Sequence, residues 1–158
     1  MTKKQRAGKC YQCGAALRAV AVAYEFDVGP TEFVAEVPGF LCPNCGEELS
    51  DGPAMVKSEL EAAVRLTSYK PFAEAIGFLR GAVGLRAKEF AELVGVAPET
   101  VSRWENGVSE IDAAAWGHLC SMVLDASAGS TTTLDRLRTN AKVRDRPVPR
   151  KRLTLKPA

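Results

Sequence analysis

The sequence predicts an α+β protein in two parts: a small N-terminal antiparallel β module, then an all-α domain of five helices. Three observations predict it. Two cysteine pairs of the same form, Cys10-x-x-Cys13-Gly14 and Cys42-x-x-Cys45-Gly46, bracket the first part. Between them, small or apolar residues alternate with polar ones at a period of two. From Phe72 to Ala126 the apolar positions instead recur at helical spacing. The chain has 158 residues, 46% apolar and 25% charged, which suits one ordinary domain or two small ones and excludes a disordered chain. No apolar run reaches the roughly 18–20 residues of a membrane span. The basic start MTKKQRAGKC lacks the apolar stretch of a secretory signal. A cytoplasmic protein with no membrane partner is expected.

Each C-x-x-C sets two sulfurs on one tight backbone knuckle, and the following Gly tolerates the positive φ that a knuckle needs. Two knuckles supply four thiolates, Cys10, Cys13, Cys42 and Cys45, the tetrahedral sulfur set that Zn²⁺ favours. The alternatives are redox pairs or disulfides. A cytosolic chain disfavours lasting disulfides, and redox C-x-x-C pairs open a helix in a βαβ unit, of which there is no sign. One structural Zn²⁺ per chain is expected, closed to substrate because the protein supplies all four ligands. The 28 residues between the pairs exceed a short ribbon and leave room for a β insert. Ala19–Phe26 and Thr31–Val37, punctuated by Val28-Gly29-Pro30, read as a hairpin or short antiparallel sheet. With so few large apolar side chains, such a module needs the metal to contribute the fold.

Ser50-Asp51-Gly52-Pro53 is a helix-start signal. Over Ala54–Leu66 it predicts a helix with Val56, Leu60, Ala63 and Val64 on the apolar face. Lys57–Glu61 and Glu61–Arg65 are opposite charges at i,i+4 on the wet face. Pro71 disfavours helix at Lys70 and marks a hinge.

The helical part divides into Phe72–Val83, Ala87–Val94, Pro98–Glu105 and Glu110–Ala126, with a short fifth helix at Leu134–Arg138. Gly84, Gly95-Val96-Ala97 and Asn106-Gly107 separate the first four. Ser109 with Asp112 three residues on reads as a capping box for the fourth. Phe90, Leu93 and Val94 share one face, with small Ala91 where a second helix crosses. Gly95 supplies a left-handed position and the next helix starts three residues later, which makes a helix-turn-helix. In that second helix Val101 and Trp104 face the core, so Glu99, Thr100 and Arg103 face outward. Thr and Arg there are side chains that reach base edges and phosphates in a major groove.

Residues 85–107, LRAKEFAELVGVAPETVSRWENG, resemble the Cro/C1-type (Xre) repressor helix-turn-helix, for which the V-S-R-W-E-N-G ending is distinctive. The resemblance spans about Ile76–Met122. It implies base contacts from Pro98, Glu99, Thr100 and Arg103, and phosphate contacts near Ser102 and Asn106. Where that family has a Ser/Thr cap followed by Gln, this chain has Arg86 and Ala87, so Arg86 or Lys88 is the candidate phosphate contact. With both knuckles, above all Val37-Pro-Gly-Phe-Leu-Cys-Pro-Asn-Cys-Gly-Glu47, the chain is similar to MqsA-type antitoxins over most of 10–125. That resemblance implies a homodimeric repressor of its own operon on a palindromic double-stranded DNA operator. The helical half would dimerise, and the zinc half would engage a cognate toxin, usually an RNA-cleaving one. Two other classes stay open. One is a stand-alone zinc-containing Xre-family regulator, for example of a mobile element, with no toxin partner. The other is a redox enzyme using the C-x-x-C pairs, which predicts titratable thiols and no stoichiometric metal.

Catalysis is not expected. His118 is the only His, no nucleophile–base pair is in evidence, and Gly77, Gly81 and Gly84 lack the Lys-Ser/Thr of a phosphate loop. Trp104 reads as core, Trp116 as core or dimer seam, and Cys120 as an inert thiol among apolar neighbours. The net charge of +2 conceals a strong polarity. Residues 1–9 carry +4 and residues 142–158 carry +6, leaving −8 on the body between. The ends are either solubilising tails or arms that meet an anionic polymer. Pro147, Pro149 and Pro157 argue for an extended C-terminal arm, with Arg144, Arg146, Arg150, Lys151 and Arg152 as candidate phosphate contacts. The expected division is 1–50 zinc-binding β module, 51–71 connecting helix and hinge, 72–141 DNA-binding and dimerisation domain, and 142–158 basic flexible tail.

Overall fold

The computed structural model describes residues 8–144. Its elements are β1 (Arg18–Val28), β2 (Thr31–Leu41), β3 (Glu48–Ser50), α1 (Gly52–Leu66), α2 (Ala73–Ala82), α3 (Ala87–Val94), α4 (Pro98–Glu105), α5 (Ala113–Ser127) and α6 (Thr132–Val143). β1 and β2 form an antiparallel hairpin paired along its whole length, from Arg18 opposite Leu41 to Val28 opposite Thr31. β3 adds three residues to the far edge of β2, giving the order β1-β2-β3. The period-two alternation fixes the faces: Val20, Val22, Tyr24, Phe26 and Val28 of β1 are the sheltered positions, and the residues between them are exposed.

The Asp51 carboxylate accepts the Ala54 N–H at 3.1 Å and so caps α1, with Pro53 in its first turn, as the sequence signal required. Counting α1, the described residues form six helices rather than five. The additional one is the connecting helix, which packs on α2 and α5 and places Ala63 and Leu66 in the shared core. Leu60, Ala63 and Val64 face the core as expected, and one position of the expected face departs. Ala62, Ala63 and Leu66 are buried while Val56 is 63% exposed, because only the later turns reach the other helices. Neither Lys57–Glu61 nor Glu61–Arg65 closes as an ion pair; exposed pairs gain little over hydration.

Two helix starts also move. Asp112, not Ser109, caps α5, its carboxylate accepting the Ala115 N–H at 2.9 Å; Glu110 lies before the helix. The start of α6 is held from the end of α5: the Asp125 carboxylate accepts the Thr133 N–H at 2.7 Å. So α6 begins before Leu134 and runs through Lys142 to Val143, where extended chain was expected. Arg146, Arg150, Lys151 and Arg152 lie outside the described residues.

Leu79, Phe90, Val101, Leu119 and Val123 are fully buried at the centre of one core. That core includes Val28 at the hairpin tip, with Phe26 and Phe33 packed against it. Phe26 stacks on Phe33 at 5.4 Å and on Phe78 of α2 at 5.9 Å between ring centroids. Phe72 covers Gly29 so closely that a Cβ there would lie 2.8 Å from its ring. The Tyr24 hydroxyl donates to the Glu59 carboxylate of α1 at 2.6 Å. At the other end of the hairpin a separate small cluster gathers Cys10, Leu17 and Cys42 with Ala15, Phe40 and Leu49. Among the described residues no helix is long and apolar enough to cross a membrane.

Candidate metal centre and nucleic-acid interface

The two knuckles repeat one hydrogen-bond pattern. The Gly14 N–H donates to Cys10 O at 2.8 Å and the Gly46 N–H to Cys42 O at 2.9 Å. The Cys10 N–H donates to Ala15 O, and the Cys42 N–H to Glu47 O, both at 2.8 Å. Gly14 and Gly46 sit at φ 73° and 77°, the left-handed conformation for which the sequence supplies glycine. The pairing brings together residues far apart in the chain: Cys10 and Cys45 sulfurs are 3.6 Å apart, Cys13 and Cys42 sulfurs 3.4 Å. All four sulfurs lie within 4.8 Å of one another. A tetrahedron with Zn–S bonds of about 2.3 Å has sulfurs about 3.8 Å apart, so the donor set fits a metal ion such as zinc.

The electrostatics agree. The Ala15 backbone N–H, then Asn44 and Cys42, pull the Cys13 thiol down to about 6. At Cys45 the Glu47 backbone N–H pulls the other way from Cys42, burial, Cys10 and Cys13, which together push the thiol up to about 12. Four crowded sulfurs do not all ionise without a cation among them. Cys10 and Cys42 are buried, Cys13 and Cys45 exposed. The Glu47 carboxylate ties the knuckles together by accepting from the Tyr11 hydroxyl at 2.5 Å and the Gln12 side-chain amide at 3.4 Å. This brace was invisible in the sequence, because it depends on the two knuckles already being side by side.

In the helical half, α3 and α4 pack against each other across the Gly95-Val96-Ala97 turn. Gly95 is at φ 79°, and Ala91 O accepts the N–H of Gly95 at 2.8 Å and of Val96 at 3.0 Å. Phe90, Ala91 and Leu93 are buried as expected, and Val94 is half-buried. In α4 Val101 and Trp104 are buried, while Pro98, Glu99, Ser102, Arg103 and Asn106 are exposed and Thr100 is half-exposed. The N-cap, Ala97, offers no side-chain oxygen to the first turn of α4. Asn106 turns back on its own helix, donating to Ser102 O at 2.7 Å.

Arg86 and Lys88 are exposed at the start of α3. The Glu89 carboxylate accepts the Arg86 backbone N–H at 2.9 Å and the guanidinium at 3.1 Å. The same guanidinium holds Glu89 below the usual carboxylate range. Glu89 thus supplies the N3 half of a capping box, while Arg86 brings no side-chain acceptor to the first turn of α3.

Two further residues shape the motif. Arg80 of α2 makes a two-pronged bridge to Glu105, the last residue of α4, at 2.6 and 3.2 Å, and donates to Leu85 O at 2.6 Å. Arg144, just past α6, sets its guanidinium 3.4 Å from Glu92 O and Leu93 O, the last carbonyls of α3. No sequence spacing announces either contact, since both span distant segments.

A family model described as helix-turn-helix matches residues 76–116, from within α2 to the first turn of α5. This segment is a helix-turn-helix domain of the Xre/Cro-C1 type. It is a DNA-binding regulator fold, and the four-cysteine cluster lies outside the match. No curated protein matches the chain. Trp104 packs in the core of this Xre-type domain, Trp116 is half-buried against it, and His118 is exposed. Cys120 is half-buried, and burial pushes its thiol up, away from reactivity.

Proposed function

We propose that the protein is a sequence-specific transcriptional repressor, the antitoxin of a type II toxin–antitoxin system. In this reading it represses its own operon as a homodimer on a palindromic operator and binds a protein toxin through a zinc-loaded β module. The single observation that supports the DNA-binding reading is the division of α4: Val101 and Trp104 lock it into the core, leaving Glu99, Thr100, Ser102 and Arg103 together at the surface. Arg103 reaches guanine, Thr100 contacts a base edge, and Glu99 accepts from a cytosine amino group. Arg86, Lys88, Ser102 and Asn106 meet the phosphates, and Pro98 packs at the groove edge. Arg144, beside the motif's turn, starts the basic segment close to this surface, so Arg146, Arg150, Lys151 and Arg152 join the phosphate contacts.

Titrating the duplex upstream of the protein's own coding sequence against a random duplex tests repression; equal affinity for both rejects it. Co-expression with the product of the adjacent gene tests the toxin. Failure of the two to co-purify rejects the antitoxin role and leaves the regulator.

A further inference from the structure

The hairpin connects the cysteine cluster to the helix-turn-helix. At one end it carries both knuckles and a core of only Cys10, Leu17 and Cys42 with three half-buried partners. So small a core leaves the metal to hold that end in place. The strands then run in unbroken register for eleven residues each to the tip. There Val28 enters the main core, Phe26 stacks on both Phe33 and Phe78, and Phe72 covers Gly29. Phe78 lies in α2 and Phe72 is its N-cap residue. From α2, Arg80 grips both Glu105 at the end of α4 and Leu85 O just before α3. Tyr24 adds a second hold through Glu59 of α1, which packs on α2 and α5.

We propose that metal binding at the four cysteines controls DNA binding by α4, with the β1–β2 hairpin as the connecting element. The metal does more than hold its own module together: by ordering the hairpin it keeps the tip seated on α2, and α2 sets the position of both motif helices. Loss of the ion loosens the hairpin, frees α2 to shift, and lets the recognition helix leave its DNA-competent position. The chain then represses only when loaded with zinc. This rests on the DNA-binding reading above, and one arm of its test does not.

The experiment compares the full chain with zinc, after chelation, and after zinc is restored. One arm measures affinity for the duplex upstream of its own coding sequence; the other measures amide hydrogen exchange in α2 and α4. Chelation should weaken DNA binding by about 5–150-fold, the usual range for coupled sites, and raise exchange in both helices, with zinc reversing both. Cys13→Ser should reproduce the chelated state. Phe26→Ala removes a hairpin ring while leaving the cysteines and α2 intact, and should make DNA affinity insensitive to metal. Unchanged exchange in α2 and α4 on chelation overturns the coupling, whatever the DNA does. Metal dependence that persists undiminished in Phe26→Ala overturns the hairpin route. If the zinc-loaded chain ignores the duplex, the DNA-binding reading fails, and the exchange arm still decides the coupling.

Discussion

Arg103 stands exposed on α4, on the face opposite the buried Val101 and Trp104 that fix the helix in the core. Removing its guanidinium by Arg103→Ala therefore leaves the fold intact and should cost about 1–3 kcal/mol on the specific duplex, with a smaller effect on random DNA. Gel-shift titrations showing equal losses on both would reduce Arg103 to a phosphate contact. Gly95 is the opposite case, a residue whose value is conformational. At φ 79° an L side chain costs about 1–2 kcal/mol, and a Cβ would also lie 2.6 Å from the Arg144 guanidinium, which must swing away. Gly95→Ala should lower the unfolding free energy by that amount, seen as a lower urea midpoint with an unchanged slope. An unaffected midpoint would show that the turn accommodates the methyl. Both positions were legible in the sequence, because a periodic pattern exposes the odd residue out and glycine marks a backbone conformation. The sequence offers Arg144 only as a candidate phosphate contact, since its carbonyl partners on α3 become neighbours only once α6 has folded alongside.

The same contrast holds for the elements. Helices α2, α3 and α5 end where glycine follows the last apolar position, and the strands show their alternation, so these were visible in one dimension. The starts of α5 and α6 differ from those the sequence predicts. Ser109 has a capping residue's chemistry but not its place, and α6 takes its cap from Asp125 at the end of another helix. The Thr133 backbone N–H holds Asp125 below the usual carboxylate range. Its contribution to stability is thus present above the unfolded pKa of about 3.9 and is lost as pH falls through the lower folded value. Asp125→Asn should accordingly be less stable than the parent at neutral pH and converge with it in acid. A thermal-melt difference that stays constant from neutral pH to about pH 2 would remove Asp125 from that role. Between elements, the Arg80–Glu105 bridge is only 18% and 19% exposed, so solvent screens it partly. Glu105→Gln should cost about 1.5–3 kcal/mol in urea unfolding, the range for hydrogen bonds to charged groups. A cost near zero would mean that packing alone joins α2 to α4.

At the scale of the molecule, the cysteine pairs and the helix-turn-helix were each readable, whereas their connection was not. Alternation predicts which residues of a hairpin face inward but not what they face, and the helix spacing of α2 gives no sign that Phe72 and Phe78 receive a strand pair. Charge shows the same gap between composition and placement. Binding Zn²⁺ to four thiolates removes two further positive charges from a formal sum of +2, leaving a neutral molecule with no overall attraction for DNA. Attraction must then come from local concentration, and Arg144 locates one such place: its guanidinium rests on the end of α3, beside the turn that leads into α4. Residues 145–158 continue from that point with five Lys and Arg against one Asp. If they neutralise phosphates flanking the operator, each contact releases counterions and adds about 0.9 to the slope of log affinity against log salt. Deleting 145–158 should therefore weaken specific and random duplexes alike and flatten that slope by about 0.9 for every phosphate lost. The ratio between the two duplexes should stay unchanged, because phosphate contacts carry no sequence information. Binding isotherms from low to moderate salt measure both quantities. An unaltered slope in the truncated protein assigns all the electrostatic attraction to the folded helices and leaves the basic segment without a part in DNA binding.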